Sequence, residues 1–211
     1  MLDSIPLPET IPVMPLPGGL LFPHALLPLH IFEARYRAMV EHALVSDRMF
    51  CVAMINPPNT DWDTAEDFRK IATVGLIRAC VETEDGTSNL ILQGLQRVRF
   101  TGILQEEPFP IAKIAPLASR PAPSSLEGEA LGERVLDLYR KFKRSGREFP
   151  TKIDRYLEDL SDPGMLADLM AATFVNDPIH RQKLLEELSV TQRLRLVIQY
   201  LEEENGDSEL A

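Results

Sequence analysis

The sequence predicts an α+β chain, a small β barrel or curled sheet followed by a helical bundle. Three observations carry this. Apolar runs of strand length, broken by prolines and an Asp-Gly turn, dominate the first 118 residues around a single amphipathic segment. Ser119-Arg120-Pro121-Ala122-Pro123-Ser124 then shifts the composition to that of a linker. Beyond it, apolar residues recur at helical spacing behind repeated capping signals. The expected domains are therefore residues 1–118 and 119–211.

Ile11-Pro12-Val13-Met14 reads as a short strand, placed at an edge because proline cannot donate to a ladder. Pro15 to Glu33 is apolar, rich in proline and free of lysine and arginine; the first basic residue is Arg35. Fixed φ and missing donors make it short extended pieces joined by turns, neither helix nor central strand. A stretch this apolar is buried or sticky. A helix follows from Glu33 to Val45, with Tyr36, Met39, Val40, Ala43 and Leu44 inward and Glu33, Arg37 and Glu41 spaced to pair outside. Met49 to Ile55 reads as a buried strand. Asn56 to Asp61 stops it, and the only tryptophan, Trp62, follows in this polar loop.

Ile71 to Glu82 and Asn89 to Phe100 flank Glu84-Asp85-Gly86-Thr87, a hairpin signature. Ile111 to Leu117 is a further strand. In the second half, Ser124 with Glu127 and Ser189 with Gln192 form capping boxes. Asp162-Pro163 and Asp177-Pro178 supply an N-cap and a proline at the first helical position. The inward stripes are Leu131, Val135, Leu138 and Phe142; Ile153, Tyr156, Leu157 and Leu160 in a helix starting at Pro150; Leu166, Leu169, Met170 and Phe174; Leu184, Leu185 and Leu188; and Leu194, Val197, Ile198 and Leu201. The acidic end, Glu202 to Glu204 with Asp207 and Glu209, is expected to fray.

A net charge of −10 opposes non-specific nucleic-acid binding, which depends on lysine and arginine neutralising phosphates. Cys51 and Cys80 sit in apolar runs with no CxxC spacing, so they read as small buried hydrophobes, and a reducing cytoplasm suits them. No signal peptide is apparent at the N-terminus, and charged residues interrupt every window of membrane-spanning length.

No GxxxxGK string exists to cradle a nucleotide phosphate, and no GxSxG elbow to expose a serine nucleophile. The four histidines are scattered, without metal-ligand spacing. The expectation is no cofactor, no metal and no catalytic residue. Arg140, Lys141, Lys143, Arg144 and Arg147 form the one basic run, read as cations at a helix C-terminus rather than as an anion site. As a polypeptide-binding groove the candidates are Leu20, Leu21 and Phe22 with Trp62; the alternative is that Leu20 to Phe22 seal the barrel and Trp62 folds back onto it.

Several motifs occur together in order. They are Met14-Pro15-Leu16-Pro17, Leu21-Phe22-Pro23, Leu27 to Tyr36 (LPLHIFEARY), Gln93 to Phe100 (QGLQRVRF), Ser161 to Leu169 (SDPGMLADL), and Lys183 to Glu186 through Arg193-Leu194. This series resembles the N-terminal substrate-binding domain of the Lon protease family over about residues 10 to 204. The resemblance implies a PUA-like β pseudo-barrel followed by an α-helical bundle. No residue here matches the ATPase and Ser-Lys peptidase motifs that follow in full Lon proteases, so it implies a stand-alone, non-catalytic domain protein. Its expected ligands are unfolded or exposed apolar polypeptide segments, with a protease or chaperone as a further candidate partner, and neither membrane nor nucleic acid. The competing readings are an RNA-binding PUA-like module, which the acidic balance opposes, and an unrecognised hydrolase, which the missing motifs oppose.

Overall fold

The computed structural model describes residues 5–122, 124–144, 157 and 160–208. The chain divides into two compact units, Met1–Ala118 and Ser119–Ala211.

The first unit is a mixed six-stranded sheet: β1 Thr10–Leu16, β2 Leu26–Ile31, β3 Met49–Met54, β4 Ile71–Glu82, β5 Ser88–Gln105 and β6 Ile111–Pro116, in the order β2-β5-β4-β3-β1-β6. A further β5–β6 pairing closes the ring. β5 makes closure possible by its length. One edge pairs with β4; the other pairs first with β2, over 88–93, then with β6, over 98–105. The shifts in its register with β4 and β6 bend it round the barrel. One helix, α1 Ala34–Leu44, packs outside.

β3 is buried along its whole length because it has a core on each face. Met49, Cys51 and Ala53 point into the barrel with Val13, Val74, Val98 and Phe100. Phe50 and Val52 point the other way, into a cluster with Tyr36, Met39, Val40 and Ala43 of α1. The helical face predicted for α1 is therefore the buried one, but Arg37 does not pair along the helix. It donates to the Gly86 carbonyl (3.3 Å), while Glu33 accepts from Arg35.

β1 is not the edge strand its proline suggested; it lies between β3, in parallel, and β6. The Val13 N–H bonds to Pro110 on the β6 side, so the Pro12 nitrogen faces β3, whose pairing begins only at Val13. The missing donor falls where no ladder bond is needed. The edge strand is β2, inside the proline-rich stretch. The predicted hairpin forms at Thr83–Thr87, with Gly86 at φ +77° and Asp85 accepting from Thr83 Oγ1 (2.7 Å) and Thr87 N (3.0 Å).

The second unit contains α2 Ser125–Arg144, α3 Pro163–Phe174, α4 Pro178–Glu186 and α5 Val190–Ser208. Their starts follow the predicted caps: Ser124 Oγ accepts from Glu127 N, Asp162 from Gly164 N and Met165 N, Asp177 from His180 N, and Ser189 Oγ from Gln192 N. The helix expected from Pro150, with Ile153 and Tyr156, lies outside the described residues, as do the side chain of Phe142 and residue Glu209; Leu157 is buried. α5 runs on through the acidic residues to Ser208, with Glu202 accepting from Arg134 (2.8 Å) and Glu203 from Gln199 (2.8 Å).

Inside the bundle, Arg193 and Asp168 form an ion pair at 3.1 Å, with side chains 1% and 3% exposed. The Arg193 guanidinium also donates to the Glu187 carbonyl (3.0 Å) and Ser119 Oγ (3.1 Å). Asp168 and Arg193 thus tie α3 to α5. Among the described residues, no helix is long and apolar enough to cross a membrane.

Candidate functional site

Apolar side chains exposed on one continuous face of the barrel unit mark the candidate site. Register places Pro28, Ile91 and Ala79 in one row across β2, β5 and β4, and His30, Asn89 and Val81 in the next. Between them runs an open groove of about 460 Å³, lined by these residues with Leu29 and Leu90, and almost wholly apolar. Val81 (64% exposed), Leu26 (63%) and Phe32 (62%) extend the apolar surface. At its rim His30 Nδ1 donates to Asn89 Oδ1 (3.0 Å), and the His30 ring stacks on Phe32 with centroids 6.0 Å apart. Such a surface binds by removing apolar area from water, worth about 25 cal/mol per Å².

The four residues singled out from sequence lie elsewhere. Leu20, Leu21, Phe22 and Trp62 are all buried, the arrangement of the alternative in which Leu20 to Phe22 seal the barrel and Trp62 folds back onto it. The chain at Phe22 runs against β5. The His24 N–H bonds to the Gly94 carbonyl (2.9 Å), the Gly94 N–H bonds to the Ala25 carbonyl (2.9 Å), and a Cβ on Gly94 would stand 2.0 Å from the Phe22 carbonyl oxygen. Only glycine permits that approach. Trp62 folds back. Its Nε1 donates to Tyr36 Oη (3.2 Å), which in turn donates to the Pro15 carbonyl (2.6 Å). Its ring meets Phe68 edge-on, and Phe68 meets Phe100 likewise.

Arg35 closes this arrangement from outside. Its guanidinium lies 5.0 Å from the Tyr36 ring centroid and 5.3 Å from that of Trp62, and it pairs with Glu33 and Asp61 at 2.9 Å each. The Asp61 carboxyl is held below its ordinary range, first by the Trp62 N–H it accepts and then by Arg35. Burial pushes the Tyr36 hydroxyl up, keeping it protonated as a donor. Burial likewise pushes the Cys51 thiol up, leaving it inert, and Cys80 is also a free thiol. Among the described residues, no group of three or more His, Cys, Asp or Glu side chains is placed to hold a metal.

Residues 10–203 match the family described as the ATP-dependent protease La (LON) substrate-binding domain. The chain belongs to this family. It is 30% identical over 205 residues to Lon protease from Dictyoglomus thermophilum, covering 97% of this chain but 26% of that protein. With Lon protease from Nitrosococcus oceani it shares 32% identity over 195 residues, 92% of this chain and 25% of the relative. The chain thus spans about a quarter of the length of these relatives. Among solved structures it resembles the N-terminal domain of Mycobacterium avium complex Lon protease (TM-score 0.72, 16% identity, covering 92% of this chain and 98% of that one). It also resembles a Lon N-terminal domain protein from Xanthomonas campestris (TM-score 0.64, 18% identity, 90% and 98% covered). The fold is accordingly the PUA-like pseudo-barrel followed by a helical bundle.

The Lon-like motifs now acquire physical roles. In LPLHIFEARY, Pro28 and His30 face the groove, Glu33 and Arg35 pair, and Tyr36 joins Trp62 to Pro15. In QGLQRVRF, Gly94 admits the Phe22 backbone. Ile91, Val81 and Ala79 belong to no motif, and sequence reasoning took them only as strand residues. One signal pointed to Ile91: it alternates in phase with Asn89 and Gln93, against Leu90 and Leu92, which marks it as apolar on the polar face.

Proposed function

We propose that this chain recognises polypeptide, binding unfolded segments or segments that expose apolar side chains, and that it does so without catalysing a reaction of its own. The observation that carries this reading is the match of residues 10–203 to the Lon substrate-binding domain. The apolar groove on the β2–β5–β4 face supports it, since unfolded chains present apolar side chains that such a face can bury. The ligand is a client polypeptide, and a protease or chaperone is the partner to which the client would pass. The cytoplasm is the proposed compartment, in keeping with two free thiols.

The test is a pair of assays on the full chain. Labelled, unfolded casein should be bound and its binding competed by apolar peptides, with ATP and casein both unchanged after prolonged incubation. Sustained turnover of either substrate by contaminant-free protein would refute the non-catalytic reading. Failure to bind unfolded casein would refute the recognition reading.

A further inference from the structure

The groove borders a strand with one unused side. Among the described residues β2 pairs only with β5. The Gly94 N–H bonds to the Ala25 carbonyl, so that peptide faces β5. Peptide groups alternate along an antiparallel strand, which turns those of Leu27, Leu29 and Ile31 toward β5 as well. Those of Leu26, Pro28 and His30 point the other way, and among the described residues no backbone group pairs with them. This side offers N–H donors from Leu26 and His30 and carbonyls from Leu26, Pro28 and His30; Pro28 has no N–H to give. The same three residues have exposed side chains, and those of Pro28 and His30 line the groove. Unpaired backbone and apolar surface therefore coincide.

Charge adds a direction. No charged residue occurs from Leu26 to Phe32. At the end where Ile31 and Ser88 align with Glu82, the exposed carboxylates of Glu82, Glu84 and Asp85 gather, with Arg37 nearby on the Gly86 carbonyl. Toward the other end, β4 exposes Arg78.

We propose that β2 takes up an extended apolar polypeptide segment as an added strand. The segment's backbone bonds to Leu26, Pro28 and His30, alternate side chains enter the groove, and a lysine or arginine of the segment lies at the Glu82 end. The proposal rests on the polypeptide-binding reading above and specifies its mode, which is main-chain pairing for affinity and groove contacts for selectivity.

The test uses the full chain and a fluorescent seven-residue peptide rich in valine and isoleucine with one terminal lysine. Two further versions carry N-methyl groups on alternate amides, one on each parity. Strand addition predicts that methylation on the bonding parity weakens binding about tenfold or more and on the other parity less than about twofold, since a lost hydrogen bond of about 1.4 kcal/mol is tenfold. Moving the lysine to the opposite end should weaken binding in low salt. Equal losses on both parities, or none, would overturn strand addition while leaving polypeptide recognition in place; no binding of the unmodified peptide would overturn both. Sedimentation should show a monomer, and a dimer that the peptide dissociates would assign the edge to a second copy of this chain instead.

Discussion

Asp85, at the tip of the β4–β5 hairpin, shows how a turn residue sets a pH limit. The Thr83 hydroxyl, then the Thr87 N–H and hydroxyl, bond to its carboxylate and pull its pKa down to about 2. A carboxyl depressed in the folded state stabilises it above the unfolded value, about 3.9, and loses that contribution as pH falls through about 2. An NMR titration of the Asp85 carboxyl should give a midpoint near 2, and Thr83→Val should raise it; an unshifted midpoint would contradict the turn geometry. Phe22 and Tyr36 test the core reading of the apolar stretch. Phe22→Ala should cost about 3–5 kcal/mol in urea unfolding. Tyr36→Phe leaves the Trp62 indole N–H and the Pro15 carbonyl unpaired and should cost about 1–3 kcal/mol. A Phe22→Ala protein of unchanged stability would return that side chain to the surface. Burial of Phe22 was not legible in the sequence: apolar residues flanked by Pro23 and Gly19 suit a contact surface as well as a seal. The close approach of Gly94 to the Phe22 carbonyl, which decides it, is a long-range contact with no local signal.

Among the elements, the strands and helices with strong periodicity or caps follow the sequence closely. α1, β3, the β4–β5 hairpin and the Asp-Pro helix starts are examples, because each is specified by residues within a few positions of one another. β1 did not, because the cost of Pro12 depends on which neighbour its nitrogen faces, and that is set by β3 and β6. The ion pair between α3 and α5 was equally hidden, since Asp168 and Arg193 lie far apart in sequence and meet only when the two helices pack. Removing one member of a buried pair leaves an uncompensated charge. Asp168→Asn or Arg193→Met should therefore each destabilise the helical unit by about 3–5 kcal/mol, and Asp168→Leu combined with Arg193→Met by clearly less. Denaturant unfolding of the full-length variants decides this; single substitutions costing under about 1 kcal/mol would contradict the pair's role.

For the molecule as a whole, two compact units joined near residue 119 predict a cleavage pattern. Limited proteolysis should cut first between about residues 119 and 124, before any cut within Ile71 to Phe100, which the barrel ladders protect. An initial cut inside β4 or β5 would contradict the division. The family was legible in the sequence because its motifs are local strings. The candidate surface was only partly so. Pro28 and His30 fall inside a motif, but Val81, Ala79 and Ile91 become a surface only when β4 and β5 align beside β2. The central claim is that this face holds polypeptide, and Ile91→Asp tests it most directly, placing a charge mid-groove on a side chain already partly solvated. Affinity for unfolded casein, measured by fluorescence anisotropy, should fall at least about tenfold, on the order of 1.4 kcal/mol, while the melting temperature stays within about 2–4 °C of the parent. Undiminished affinity in a folded Ile91→Asp protein would contradict the account.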